Sequence, residues 1–102
     1  SVLAERRETP SAFALAQNYP NPFNPVTEIR YALVSDCHVR LEIFNVLGRK
    51  VATLVDEAQE AGYRTARWNG TNADGVDVSS GVYFYRLEAG SFAETRKMIL
   101  MR

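Results

Sequence analysis

Asp36-Cys37-His38 sets an acid, a thiol and an imidazole side by side, the residue types from which a cysteine nucleophile and its base are assembled. The residues that follow argue against that use. Val39, Leu41 and Ile43 alternate with Arg40 and Glu42, the period-two pattern of a half-buried strand, and successive strand residues point to opposite faces. Cys37 and His38 therefore diverge. Cys37 is the only cysteine and His38 the only histidine, so the chain holds neither an internal disulfide nor a multi-cysteine or multi-histidine zinc site. The turn from Gly70 to Gly75 alternates Asn72 and Asp74 as a calcium loop does, but Gly70 stands at the first ligand position and no glutamate closes the loop at its end. Asn72 and Asp74 fit an Asx-type turn better. Neither GxGxxG nor GxxxxGK[ST] occurs, which removes the usual phosphate cradles. The residues with chemical capacity thus point to no catalytic site, no metal and no cofactor. The remaining group is aromatic: Tyr31, Tyr63, Trp68, Tyr83, Phe84 and Tyr85. These rings either fill a core or, if exposed in a row, stack against sugars, and a two-layer sheet protein needs them inside.

The elements that position these residues follow from the same alternation. After Pro25 no helical period appears, and short alternating runs are separated by Gly, Asn and Asp. Strands are expected at Thr27–Leu33, His38–Phe44, Lys50–Val55, Gly62–Trp68, Gly81–Leu87 and Phe92–Met101. Asn45-Val46-Leu47-Gly48-Arg49 is read as a tight reversal, Asp56–Ala61 as a polar connection with room for one helical turn, and Glu88–Ser91 as the turn of a last hairpin. Phe92, Met98 and Leu100 share one parity and Ile99 and Met101 the other, which suggests a bulge between Glu94 and Met98. Three of the chain's four prolines lie between Pro20 and Pro25, so Asn18–Pro25 is expected as an irregular strap on a sheet edge, since proline gives no ladder donor. Residues 1–16 read as a linker, with at most a short helix at Ala4–Glu8, and residues 17–102 as the domain. With the N-terminal segment as an edge strand, the fold class is all-β, an immunoglobulin-like antiparallel β-sandwich of about seven strands.

At 102 residues there is room for one core and not two. Twelve basic residues balance twelve acidic ones, leaving no long-range positive field to gather phosphate backbones or anionic lipid, so nucleic acid is not an expected partner. Apolar runs fall far short of the ~20 residues that cross a bilayer, so membrane insertion is not expected, and no signal-peptide pattern opens the chain.

Five motifs in order carry a resemblance: Asn18-Tyr19-Pro20-Asn21-Pro22-Phe23-Asn24-Pro25, Phe44-Asn45-Val46-Leu47-Gly48-Arg49-Lys50-Val51, Trp68-Asn69-Gly70, Ser80-Gly81-Val82-Tyr83-Phe84-Tyr85-Arg86-Leu87, and Lys97-Met98-Ile99-Leu100. From Gln17 to Arg102 the chain resembles the type A C-terminal sorting domain of the type IX secretion system, which is similar to the Ig-like domain of the flagellar hook-capping protein. The resemblance implies a non-catalytic address on a secreted passenger, read at the outer membrane by a translocon. In that family the domain is often removed by a sortase-like peptidase that joins the passenger to surface lipopolysaccharide, which places cleavage before Gln17. It further implies a secreted or cell-surface destination after passage through the periplasm. The recognition residues it implies are Gly81, Val82 and Tyr83, together with Lys97, Met98, Ile99, Leu100 and a basic terminus at Arg102. The other readings of such a sandwich are a structural spacer and a carbohydrate-binding module of a larger extracellular enzyme. An exposed last strand would offer an edge for strand addition.

Overall fold

Period-two alternation produces seven strands and no helix among residues 9–102, the part of the chain that this computed structural model describes. They are β1 (Ala14–Leu15), β2 (Thr27–Leu33), β3 (Cys37–Phe44), β4 (Lys50–Gln59), β5 (Gly62–Trp68), β6 (Gly81–Ala89) and β7 (Phe92–Leu100). Two antiparallel sheets face each other, one ordered β1-β2-β5 and the other β4-β3-β6-β7. The expected fold, an all-β sandwich of immunoglobulin type, is the observed one. The chain changes sheet between β2 and β3, between β4 and β5, and between β5 and β6, while β3-β4 and β6-β7 are hairpins within one sheet.

Alternation decides what lies between the sheets. Ile29, Tyr31 and Leu33 of β2 face Val39, Leu41 and Ile43 of β3 and Tyr83, Tyr85 and Leu87 of β6, all of them buried. Register keeps each inward row together: Leu41 lies beside Leu87, Ile43 beside Tyr85, and Tyr83 beside Met98. Removing such side chains from water stabilises the fold by about 1.5–3 kcal/mol each.

Several expectations are corrected. Asp56–Ala61 is not a connection with a helical turn: β4 runs on to Gln59, which pairs with Cys37. Its polar residues belong to an edge strand, where both side-chain rows reach water. The irregularity expected in the last strand is absent, and β6 and β7 pair without a shift from Gly81↔Leu100 to Ala89↔Phe92. Glu94 and Arg96 hold the inward parity there because they reach the open rim, where Arg96 pairs with Glu94 at 3.0 Å and donates from Nε to the Leu15 carbonyl at 2.7 Å. The shifts fall instead on β3-β4, between Leu41 and Glu42 and between Ile43 and Phe44.

The short helix expected at Ala4–Glu8 lies outside the described residues. The end of the expected linker, by contrast, is part of the sandwich. Ala14 and Leu15 pair with Ala32 and Tyr31, Leu15 is buried, and Phe13 stacks on Phe92 with ring centroids 5.6 Å apart. The packed unit therefore begins upstream of Gln17.

Candidate functional site at the strap and the C-terminal hairpin

The side chains that first suggested chemistry are dispersed. Asp36 Oδ1 accepts the Ala61 amide at 2.9 Å and so holds the entry to β5. Cys37 lies half-buried on the core side of β3, and His38 points outward to Asp56, 2.6 Å away. Along the same outer face Arg40 reaches Glu88 at 2.8 Å and Arg86 reaches it at 3.1 Å, while Glu42 takes Lys50 at 3.4 Å. Hydrogen bonds from Arg86 and Arg40 hold the Glu88 carboxyl below its ordinary range, and the bond to Glu88 raises the Arg40 guanidinium. Water screens these pairs, and they supply a solvated face. In the Gly70–Gly75 turn, Asn72 Oδ1 accepts the amides of Asp74 and Val76 at 2.9 and 3.0 Å, which is the Asx arrangement and spends the oxygen a cation would need.

The strap is tied at both ends. Asn18 is buried, and its main-chain amide donates to the Tyr85 hydroxyl at 2.8 Å while that hydroxyl donates to the Ala16 carbonyl at 2.7 Å. Asn18 Nδ2 donates to Thr27 Oγ1 and to the Pro20 carbonyl, and Thr27 Oγ1 donates to the same carbonyl at 2.9 Å. A segment whose prolines cannot enter a ladder is thereby satisfied by side chains; among the described residues no buried side-chain polar atom lacks a partner. Tyr19 pairs with Glu28 on the three-stranded sheet, and Phe23 then pairs in parallel with Leu100 on the four-stranded one. The Phe23 amide donates to the Ile99 carbonyl at 3.0 Å, the Met101 amide donates to the Phe23 carbonyl at 2.9 Å, and the Ile99 amide donates to Asn21 Oδ1 at 3.0 Å. Gln17 Nε2 caps the Lys97 carbonyl at 2.8 Å. The C-terminal half of β7 is thus a covered edge, which corrects the expectation of an exposed last strand.

Tyr85 gives this anchoring a pH signature. Burial raises its hydroxyl above the ordinary tyrosine range, and burial does the same to Tyr31, whose hydroxyl donates to Gln59 Oε1 at 2.7 Å. A phenol whose folded value lies above its unfolded one stabilises the fold fully below the unfolded value and less as pH rises toward the folded one. Stability should therefore decline above about pH 10. Tyr85→Phe should lose about 1–3 kcal/mol at neutral pH, because Ala16 O and Asn18 N–H lose their partner, and should flatten the alkaline decline. Urea titrations of both proteins at neutral and alkaline pH check both parts.

The residues implied as recognition elements meet at one end of the sandwich, since Gly81 pairs with Leu100, Val82 with Ile99 and Tyr83 with Met98. Their side chains divide. Tyr83, Met98 and Leu100 are buried, Val82 and Ile99 are half-buried, and Gly81, Lys97 and Arg102 are exposed. Tyr83 donates its hydroxyl to the Ser79 carbonyl at 2.7 Å and packs edge-on to Trp68 at 5.3 Å, so it is a core residue. Arg102 is not a free cation: its guanidinium donates to the carbonyls of Val78 and Gly70 and lies 3.5 Å from Asp77, and its amide donates to Ser80 Oγ. Gly70 makes this possible, for at φ +75° a Cβ there would stand 2.7 Å from Arg102 Nη2.

Sequence reasoning missed a second group at this end. Val46 and Leu47 of the β3-β4 turn are 66% and 75% exposed, and Val76 and Met101 are more than half exposed. Register places the turn beyond Phe44, which pairs with Phe84, and so beside the start of β6 and the end of β7. Apolar residues in a turn closed by a glycine at positive φ were the available signal, because such a turn has no core to fill. The aromatic residues do not form an exposed row: Tyr31, Trp68, Tyr83 and Tyr85 are buried, and the two that are largely exposed, Tyr19 at 79% and Tyr63 at 70%, sit at opposite ends of β2, against Glu28 and Ala32.

A two-sheet module that encloses Tyr31, Trp68, Tyr83 and Tyr85, clamps its own C-terminal strand and shows a small apolar end is an immunoglobulin-like β-sandwich domain. Residues 17–101 match the family described as the secretion system C-terminal sorting domain, and the chain belongs to that family. Three solved structures share the fold. The crystal structure of dimeric latent PorU from Porphyromonas gingivalis matches with a TM-score of 0.72 and 24% identity over 90% of this chain. PorZ, an essential bacterial surface component of the type-IX secretion system of the same organism, matches at 0.59 and 22% over 89%. Truncated FlgD from Helicobacter pylori matches at 0.55 and 21% over 91% of this chain and 68% of its own. This chain spans only 10% and 12% of the PorU and PorZ chains. No curated protein matches the sequence. Membership in the family gives the chain a sorting role connected with secretion.

Proposed function

We propose that the domain is a non-catalytic address that directs a passenger through the type IX secretion system to the cell surface, and that the translocon reads the end formed by β6, β7 and the β3-β4 turn. The family match carries this reading, and the convergence of Gly81, Val82, Lys97 and Ile99 on that end supports it. Because Tyr83, Met98 and Leu100 are core residues, the surface available to a partner is Lys97, Val82, Ile99 and Met101 with Val46 and Leu47. A sortase-like peptidase acting on this protein would cut upstream of Phe13, since beyond it the chain is held in the sandwich.

The test is export of a reporter carrying a general secretion signal and residues 1–102, in a host with a type IX system. Deleting the last strand would remove Met98 and Leu100 from the core, so the informative variants are Leu47→Asp, Lys97→Glu and Met101→Asp, which leave the interior intact. The full fusion should reach the surface, a reporter without the domain should stay in the periplasm, and the combined variant should be retained while folded. Periplasmic retention of a folded wild-type fusion would overturn the reading.

A further inference from the structure

Three of the four sheet edges are short, irregular or partly covered, and the fourth is open and regular along its length. β1 is two residues long, β4 carries two register shifts, and β7 is covered by the strap from Lys97 onward. β5 is regular, holds no proline, and pairs with β2 without a shift from Gly62 to Trp68. The direction of its free groups follows from β2. Glu28 spends its amide and carbonyl on Tyr19, and the Arg30 carbonyl takes the Ala16 amide, so the even residues of β2 face the strap and the odd ones face β5. In the observed register Ile29 and Tyr31 lie opposite Ala66 and Arg64, so the even residues of β5 bond β2. Tyr63, Thr65 and Arg67 therefore direct three successive N–H and C=O pairs outward, and among the described residues nothing bonds them.

We propose that this edge pairs with a second copy of itself, antiparallel about a two-fold axis at Thr65, merging two three-stranded sheets into one. The occupant is argued from the residues that this symmetry brings opposite one another. Thr65 meets its own counterpart, a favourable cross-strand pair. On the outer face Tyr63 meets Arg67 of the other copy, which sets a 70% exposed ring beside a guanidinium and puts no two like charges directly opposite. On the inner face each large residue meets a small one, Arg64 opposite Ala66 and Trp68 opposite Gly62. Arg64 is turned back along its own chain, donating from Nε and Nη2 to the Glu60 carbonyl at 3.2 and 3.1 Å, which draws it away from the axis. The groove of about 430 Å³ that runs along this edge, between Leu54 and Val55 of β4 and Thr65 to Arg67 of β5, lies where the arriving strand would rest. An interface of this kind is isologous, and with one strand pair at its centre it is concentration-dependent.

The two-fold axis makes the test specific, because position 65 faces itself. Thr65→Lys and Thr65→Glu are exposed substitutions on the outer face, and circular dichroism confirms that each folds. By analytical ultracentrifugation of the full chain up to millimolar concentration, the wild type should show a monomer–dimer equilibrium. Each variant alone should dimerise about fivefold more weakly, because like charges then meet. An equimolar mixture of the two should restore or exceed wild-type association, because lysine then meets glutamate. A wild type that stays monomeric throughout would overturn the proposal, and so would a dimer that responds identically to Lys, to Glu and to their mixture.

Discussion

Trp68→Ala is expected to cost about 3–5 kcal/mol, a large share of the about 5–15 kcal/mol that holds a domain folded. Trp68 is only 2% exposed and ends β5 at the point where the strap, the 69–77 turn and the C-terminal hairpin meet. Its ring lies 5.7 Å from that of Phe23 and 5.3 Å from that of Tyr83, and its Nε1–H donates to the Thr71 carbonyl at 2.8 Å. Truncation removes apolar burial, two aromatic contacts and the hydrogen bond that holds the wide turn. Trp68→Phe keeps most of the burial and loses the donor, so it should cost about 1–3 kcal/mol and separate the two contributions. Chemical denaturation followed by circular dichroism measures both. A loss below about 1 kcal/mol for the alanine variant would mean that the site collapses around the cavity, contrary to the packing described.

Phe23→Ala should cost a comparable ~3–5 kcal/mol, and its effect should be spatially polarised. Phe23 is the one large apolar side chain of the strap that is buried, at 1% exposure, and its own amide and carbonyl hold Ile99 and Met101. Without the ring the strap loses its anchor on Trp68, and the parallel bridge to β7 has nothing to keep it in place. Amide hydrogen exchange should accelerate first at Ile99 and Met101, while the β3-β6 pairing keeps its protection until global unfolding. Because Phe23 and Trp68 touch, the double variant should lose less than the two single losses together. Uniform acceleration across all strands would show instead that the strap is not a separable element. In the proposed sorting role this element matters, because it ties the segment nearest the passenger to the strand that carries Lys97 and Ile99.

Strand positions were largely legible in the chain, because side-chain direction in a strand depends only on parity. Val39, Leu41 and Ile43 against Arg40 and Glu42 define one face whatever the partner, and Trp68 at the end of a second alternating run points to the core. The motifs at Asn18–Pro25 and Lys97–Leu100 were visible as residues, and so was the prediction that prolines would make a strap. Local chemistry was equally readable in turns: Gly48 and Asn72 do there what their side chains and backbone freedom allow anywhere.

What the tertiary structure decided is which of these residues meet and which remain outside. Parity cannot say that Glu94 and Arg96 reach a rim, because that depends on where the opposite sheet ends. It cannot say that Phe23 covers the edge of β7, that Asn18 is held by a phenol 67 residues away, or that Arg102 is spent on Gly70 and Val78. Neither can it say that β5 keeps a regular edge open along its whole length. Alternation is a property of one strand, determined by bonds along the chain. Edges, rims and buried polar contacts are properties of several strands at once, and they exist only after distant segments have been brought together.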